Sequence, residues 1–340
     1  MNFSSTFSPE SSSARDSQTV QQLLSMVNQA LSQLPMPCQP AGLYEPIRYV
    51  LSLGGKRIRP LFLLLSYGLY RSDIETAMPA ALGIETYHNF TLLHDDLMDH
   101  ADVRRGKPTV HCKWDPNTAI LSGDSMLLLA MKLIQGVPAQ FAPELMKVFV
   151  DSALEIDEGQ QYDVNFESRL DVTEEEYLEM IRLKTSVLLG CAAKMGAILA
   201  RASVDDARLL YGFGEKVGLA FQLQDDYLDV YGDAKLFGKR IGGDILCNKK
   251  TFLLISALRM ADDGQLQQLL GWLNQPNPDA EQKIQAVTSL YDALGIGPLC
   301  QQRVAQYFSE ARQLLEQVSL PADRKATLWS FASSLFNRAF

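Results

Sequence analysis

Asp95, Asp96 and Asp99 stand in the order DDxxD, and the same order returns at Asp225, Asp226 and Asp229. On a helix, residues three and four apart share a face, so each trio can converge its carboxylates. Carboxylates gathered in this way repel one another unless a cation lies among them, and hard oxygen ligands select Mg²⁺ or a similar ion. Mg²⁺ keeps several waters and completes its shell with phosphate oxygens, so two such clusters predict a site that holds a diphosphate through bridging metals. One accidental DDxxD is expected in about one such sequence in ten, and two in about one in a hundred. Asp205-Asp206 and Asp262-Asp263 show the plainer use of paired aspartates: neither has an Asp three residues on, and both sit where a helix should begin or end.

Lysine and arginine number 31 against 40 acidic residues, a net charge of -9 that disfavours a nucleic-acid partner. The cations are nevertheless grouped, at Lys56, Arg57 and Arg59, at Arg104, Arg105 and Lys107, and at Lys239, Arg240, Lys249 and Lys250. Basic clusters in an acidic chain point to small anionic ligands. Lys56 and Arg59 flank the Gly54-Gly55 break, and three cations at the positive start of a helix are unfavourable without an anion. His88 lies two turns before Asp95 on the same face; alone, a histidine there reads as a packed, partly buried residue. Arg240 and Lys250 read as solvated.

Stiff supports are needed to hold metal-binding carboxylates to tolerance, and helical periodicity does dominate the chain. The fold class expected is all-α, with no convincing series of strands. Long helices are expected over about 77 to 100, 174 to 200 and 206 to 231. Each DDxxD then closes a helix, where the partial negative charge of the C-terminal end adds to the attraction for a cation. Ser72 with Glu75, and Thr173 with Glu176, fit capping boxes. Breaks are expected at Gly54-Gly55, Gly106 to Pro116, Gly136 to Pro138, Phe166 to Asp171, Gly242-Gly243, Gln275 to Pro278 and Gly295 to Pro298.

The 340 residues carry no linker, so a Ser-rich disordered tail over 1–17 and one large domain over 18–340 are expected. With 47% hydrophobic and 21% charged residues the core should be ordinary and sizeable. The five scattered cysteines, without CxxC spacing, argue against zinc or a disulfide framework and suit a reducing cytoplasm. No signal sequence is read at the N-terminus and no stretch is read as long enough for a membrane span.

The two DDxxD clusters, Gly54-Gly55-Lys56-Arg57-Ile58-Arg59-Pro60, Arg104-Arg105-Gly106-Lys107-Pro108-Thr109 and Gly159-Gln160 ahead of Asp163 together resemble the trans-isoprenyl diphosphate synthases, in order from about residue 40 to 260. The short-chain members, making farnesyl or geranylgeranyl diphosphate, are the nearest in kind. This resemblance implies one bundle of antiparallel helices around a central active-site cavity, and a homodimer. It implies three Mg²⁺ ions, with Mn²⁺ as a substitute, held by Asp95, Asp99 and Asp225 with Asp96, Asp226 and Asp229 in support. Arg104, Lys184 and Lys239 match contacts to the allylic diphosphate; Lys56, Arg59, His88 and Arg105 match a metal-free site for isopentenyl diphosphate. Lys184, Thr185 and Gln222 match groups beside the allylic cation, and Gln160, Asp163 and Lys249 match supporting residues. No histidine stands out as a base, and in the family released pyrophosphate takes the proton.

Within that resemblance the positions four, five and eight before the first Asp, here Thr91, Phe90 and Tyr87, floor the pocket for the growing chain. Phe90 and Tyr87 suggest an early stop, at C15 or C20. Ideal phasing sets Phe90 about 140° from Asp95, so spacing alone reads it equally as a core aromatic. The uninterrupted first motif leans toward geranylgeranyl diphosphate, and Tyr87 pulls the other way. A terpene cyclase or a head-to-head synthase would leave Lys56, Arg59 and Arg105 without an obvious role, and a silent regulatory subunit would be expected to have lost aspartates.

Overall fold

The computed structural model describes residues 12–232 and 241–336, and among them helices account for nearly all regular structure. In order these are α1 (Ser12–Ser32), α2 (Ala41–Ser52), α3 (Ile58–Gly68), α4 (Met78–Met98), a hairpin of β1 (Val103–Arg104) and β2 (Lys107–Pro108), α5 (Val110–Lys113) and α6 (Pro116–Ile134). There follow α7 (Ala142–Glu167), α8 (Glu174–Ile181), α9 (Val187–Leu199) and α10 (Val204–Tyr231), then helices Gly243–Leu246, Phe252–Met260, Asp263–Asn274, Ala280–Ala293, Ile296–Gln317 and Ala322–Ser334. The all-α expectation holds, with the hairpin as its exception. The expected tail lies largely outside the described residues. From Ser12 the chain is helical, and Asp16 is buried there, accepting from the Thr327 hydroxyl at 2.5 Å.

Two compact units divide the chain. The first gathers the described parts of Met1–Asp151, Cys191–Tyr211 and Val318–Phe331, the second those of Ser152–Gly190, Gly212–Gln317 and Ala332–Phe340. In the first, α3 is apolar all round and everything from Pro60 to Tyr67 is buried, as a central helix requires. Phe62 meets Phe331 there with ring centroids 5.7 Å apart. The helix that ends in the first acidic motif, α4, packs chiefly on α6 and α3. In the second unit, Phe166, Tyr177, Leu219, Leu223, Phe252 and Tyr291 belong to one buried cluster that backs the end of α10.

Local signals were met unevenly. Thr173 and Glu176 form both bonds of a capping box, and Asp262 with Gln265 forms another. The box expected from Ser72 and Glu75 does not form. Asp73 takes over that start, because its carboxylate accepts from Arg71, Tyr67 and Thr76, and α4 begins at Met78 beyond a short 3₁₀ turn. The helix expected over 174 to 200 is interrupted by a π-helical turn, Arg182–Ser186. A further correction concerns α6, whose 19 residues have the length and apolarity of a membrane span that the sequence reading did not see. Its polar residues are few, but it packs on α4 and α2, burying Ala119, Ser122, Gly123, Met126, Ala130 and Ile134.

Candidate active site

In the first unit, α4 ends inside its own acidic motif. Asp99 is its C-terminal cap, with its N–H on the Asp95 carbonyl at 2.8 Å, and His100 turns left-handed at φ 52°. The hairpin then folds back over this end. Its loop residues Arg105 and Gly106 have φ of 52° and 72°, as a tight two-residue turn demands. Arg104, at the end of β1, grips both oxygens of Asp96 from Nε at 2.7 and 2.8 Å and from Nη2 at 2.7 Å. The same Nη2 stands 4.0 Å from Asp95. Burial raises the pKa of Asp96, and the Arg104 guanidinium opposes that rise.

Arg105 reaches the other way and donates to the Gly54 carbonyl. Its guanidinium lies over Gly55, where a Cβ would come within 2.8 Å of it. The hairpin therefore delivers Arg105 to the loop that carries Lys56 and leads into Arg59. Arg59 Nη1 lies 3.0 Å from His88 Nε2, and its pKa is pushed down to about 10 by burial, with Glu85 opposing and Arg105 adding to the fall. His88 is held well below the ordinary histidine value by burial first and then by the positive fields of Arg59, Arg105, Arg104 and Arg57. It is a neutral acceptor amid cations. Arg57 is spent differently, in a buried pair with Glu85 at 2.6 Å, and it also donates to Asn28 and the Leu51 carbonyl. No side chain caps the start of α3, and Arg59 Nε is buried without a hydrogen-bond partner. Arg59, His88 and Arg105, three of the sequence-predicted residues, thus act on one another at the electropositive start of α3, and Lys56 lies in the loop that leads into it.

In the second unit the π-helical turn carries Lys184 and Thr185, and such turns concentrate at functional positions. Gly159 of α7 lets that backbone come close: a Cβ there would lie 2.3 Å from the Lys184 nitrogen. Lys184 Nζ donates to Asp163 at 2.6 Å, while Gln160 sits half-buried one turn earlier on α7. Thr185 Oγ1 donates to Gln222 Oε1 at 3.2 Å, and Gln222 Nε2 donates to Asp226 Oδ1 at 3.1 Å. Tyr177 completes the chain by donating its hydroxyl to Asp226 Oδ2. Burial, reinforced by Asp244, pushes the Asp226 pKa up to about 7 against the pull of Lys249, Tyr177 and Gln222. Asp229 accepts the Asp244 N–H at 2.9 Å, which ties the end of α10 to the helix Gly243–Leu246. Lys249 is exposed beyond that helix, whereas Lys250 is not solvated as expected but donates to the carbonyls of Glu167 and Asn248 at 2.9 and 3.1 Å. Lys239 and Arg240 lie outside the described residues.

The chain-length trio sits on α4. Tyr87 is buried and meets Phe149 edge-on at 5.0 Å and Phe90 at 5.5 Å. Phe90 is only partly buried and packs on His94 at 4.8 Å, with His94 Nε2 3.2 Å from the Ile120 carbonyl. Thr91 turns its hydroxyl back to the His88 carbonyl at 2.9 Å.

Comparison with known proteins agrees with this geometry. A family profile described as Polyprenyl synthetase matches residues 40–291. The chain belongs to the polyprenyl synthetase family. It is 40% identical over 249 residues to a short chain isoprenyl diphosphate synthase of Methanocaldococcus jannaschii, covering 73% of this chain and 76% of that one. It is 42% identical over 235 residues to a geranylgeranyl diphosphate synthase of Methanosarcina mazei, covering 68% and 72%. A crystal structure of a geranylgeranyl pyrophosphate synthase superposes with TM-score 0.86 at 42% identity, over 96% of this chain and 99% of that one.

For this polyprenyl synthetase the donor set suits Mg²⁺. Arg104 occupies both oxygens of Asp96, Tyr177 and Gln222 occupy both of Asp226, and Asp229 already accepts an N–H. Asp225, beside Asp226 on α10, makes no hydrogen bond or ion pair among the described residues. Among those residues no three His, Cys, Asp or Glu side chains gather into a metal cage.

Sequence reasoning missed three participants. Glu85 had a signal, as the one charge in the apolar run Ala80 to Tyr87. Arg57 was counted among the ligand cations but serves Glu85. Tyr177 gave no signal, because only the fold brings it to Asp226, 49 residues away.

Proposed function

We propose that this chain is a short-chain trans-prenyl diphosphate synthase that condenses isopentenyl diphosphate with dimethylallyl, geranyl or farnesyl diphosphate to give C15 to C20 products, leaning to geranylgeranyl diphosphate. The observation that carries the reading is the cation group around neutral His88, where Glu85 is already committed to Arg57. Such a group can take a diphosphate without metal, and Arg offers phosphate a planar set of donors. A cyclase needs no second anion site, and a silent subunit has no reason to keep all six aspartates. The relatives named above support the same class of reaction.

The allylic diphosphate is assigned to Arg104 and Lys184, with Lys239 as a further contact. Because Asp96 holds Nε and Nη2 of Arg104, its Nη1 is left to meet phosphate. Asp95, Asp99 and Asp225 would hold Mg²⁺, three ions in this reading, and the metal would supply positive charge to offset what builds on the leaving diphosphate. The allylic carbon–oxygen bond breaks, the isopentenyl double bond attacks the carbocation, and the proton lost from the new chain passes to pyrophosphate. The oxygens of Thr185 and Gln222 face the cation without trapping it.

A single catalytic domain over 18–340, a cytoplasmic setting suited to five free thiols, and a homodimer complete the reading. Ile120, Leu121 and Leu128 on α6, 45%, 60% and 66% exposed, offer an apolar face to a second copy. Incubation with Mg²⁺, isopentenyl diphosphate and each allylic primer, followed by chromatography, is expected to show a longer prenyl diphosphate and released pyrophosphate. No elongation with any primer would sink the proposal. Light scattering would test the dimer.

A further inference from the structure

Tyr177 has no part in the roles assigned above, yet its hydroxyl is buried against a residue of the second acidic motif. The hydrogen bonds that start from it run in one direction. Asp226 accepts the Tyr177 hydroxyl on Oδ2 and the amide NH₂ of Gln222 on Oδ1. The amide then has only its oxygen to show Thr185. Thr185 accordingly gives its single proton to Gln222 Oε1, at 3.2 Å, and keeps only lone pairs for whatever lies on its other side. A hydroxyl in that state stabilises positive charge, whereas one free to rotate can turn its O–H dipole toward the cation and oppose it. The support is stiff: Thr185 sits in the π-helical turn and Gln222 lies one turn before Asp226 on α10.

We propose that Tyr177 is a positioning residue for prenyl transfer, which through Asp226 and Gln222 fixes Thr185 with its lone pairs toward the developing allylic cation. The inference rests on the synthase reading and deepens it. Without the phenol, one buried oxygen of Asp226 has no donor, the carboxylate and amide can reorient, and Thr185 loses its fixed direction.

The test is Tyr177→Phe, which removes one oxygen and keeps the ring. Steady-state kinetics are expected to show kcat lowered about 10- to 100-fold, with KM for both substrates and the Mg²⁺ requirement changed less than about threefold. In a Thr185→Val background the same change should cost less than about threefold, because the group it orients is gone. An equal loss in both backgrounds, or a rise in KM with kcat unchanged, would overturn the proposal. Should Tyr177→Phe not fold, Asp226→Asn breaks the same chain one link on and must show the same non-additivity with Thr185→Val. Wild-type protein that makes no elongated product would instead sink the synthase reading, so the two failures are distinct.

Discussion

Arg59 Nη1 and His88 Nε2 stand 3.0 Å apart, and the guanidinium can only donate, so the histidine nitrogen is the acceptor and the ring is neutral. A charged imidazole would put two cations in contact beside Arg105. Neutral His88 instead holds the donor face of Arg59 in place. It lets the site gather charge from lysine and arginine without adding its own.

This fixes the sign of a pH effect. His88 is held well below its ordinary value when folded, so below about pH 6.5 the unfolded chain binds a proton that the folded chain does not. Stability is full above the unfolded value and falls as pH drops through it toward the folded one. Urea unfolding at pH 7.5, 6 and 5 should show wild type losing up to about 1.4 kcal/mol per pH unit more than His88→Gln across that window. Parallel pH profiles for the two proteins would refute it.

Breaking the Arg57–Glu85 pair should be costly. Both side chains are 2% exposed, and Glu85 Oε1 also accepts from Asn89 at 2.9 Å. Arg57→Met leaves a buried carboxylate without its cation, an expected loss of about 3–5 kcal/mol by denaturant unfolding. A loss below about 1 kcal/mol would mean that the carboxylate finds water or a proton at little cost.

At Gly159 a side chain would have to displace backbone. A Cβ would lie 2.3 Å from the Lys184 nitrogen and 2.8 Å from the Leu183 carbonyl carbon, and neither can yield without moving the π-helical turn. Gly159→Ala is therefore expected to cost about 1–3 kcal/mol and to lower activity along with stability. Unchanged unfolding and turnover together would show that the two segments separate freely.

The two acidic motifs, the cation pairs and the helical class were legible because each is a matter of residue type and local spacing. Thr173 and Glu176 belong to the same class, three residues apart and reciprocal. Ser72 failed because a neighbouring carboxylate, Asp73, outbid its hydroxyl with a charged partner in Arg71. Spacing also gave all six aspartates one role, although Asp96 and Asp226 are committed to protein donors. Which carboxylate of a motif faces inward depends on what packs against it. Tyr177 and the π-helical turn are properties of packing between helices far apart in sequence, and no window of the sequence contains them.

Product length is open to the same kind of reasoning. Tyr87 and Phe90 are neighbours on α4 but not equivalents, since Tyr87 is 1% exposed against Phe149 while Phe90 is only partly buried beside His94. Tyr87→Ala would open a core cavity at a cost of about 3–5 kcal/mol, so any change in product would be confounded with unfolding. Phe90→Ala removes a ring from the edge of that cluster and should cost much less. If Phe90 floors the pocket, its loss gives the growing chain room, and chromatography of the products should show a shift to longer chains at a near wild-type melting temperature. A stable Phe90→Ala protein with the wild-type distribution would take Phe90 out of the floor and leave it a packing residue for His94.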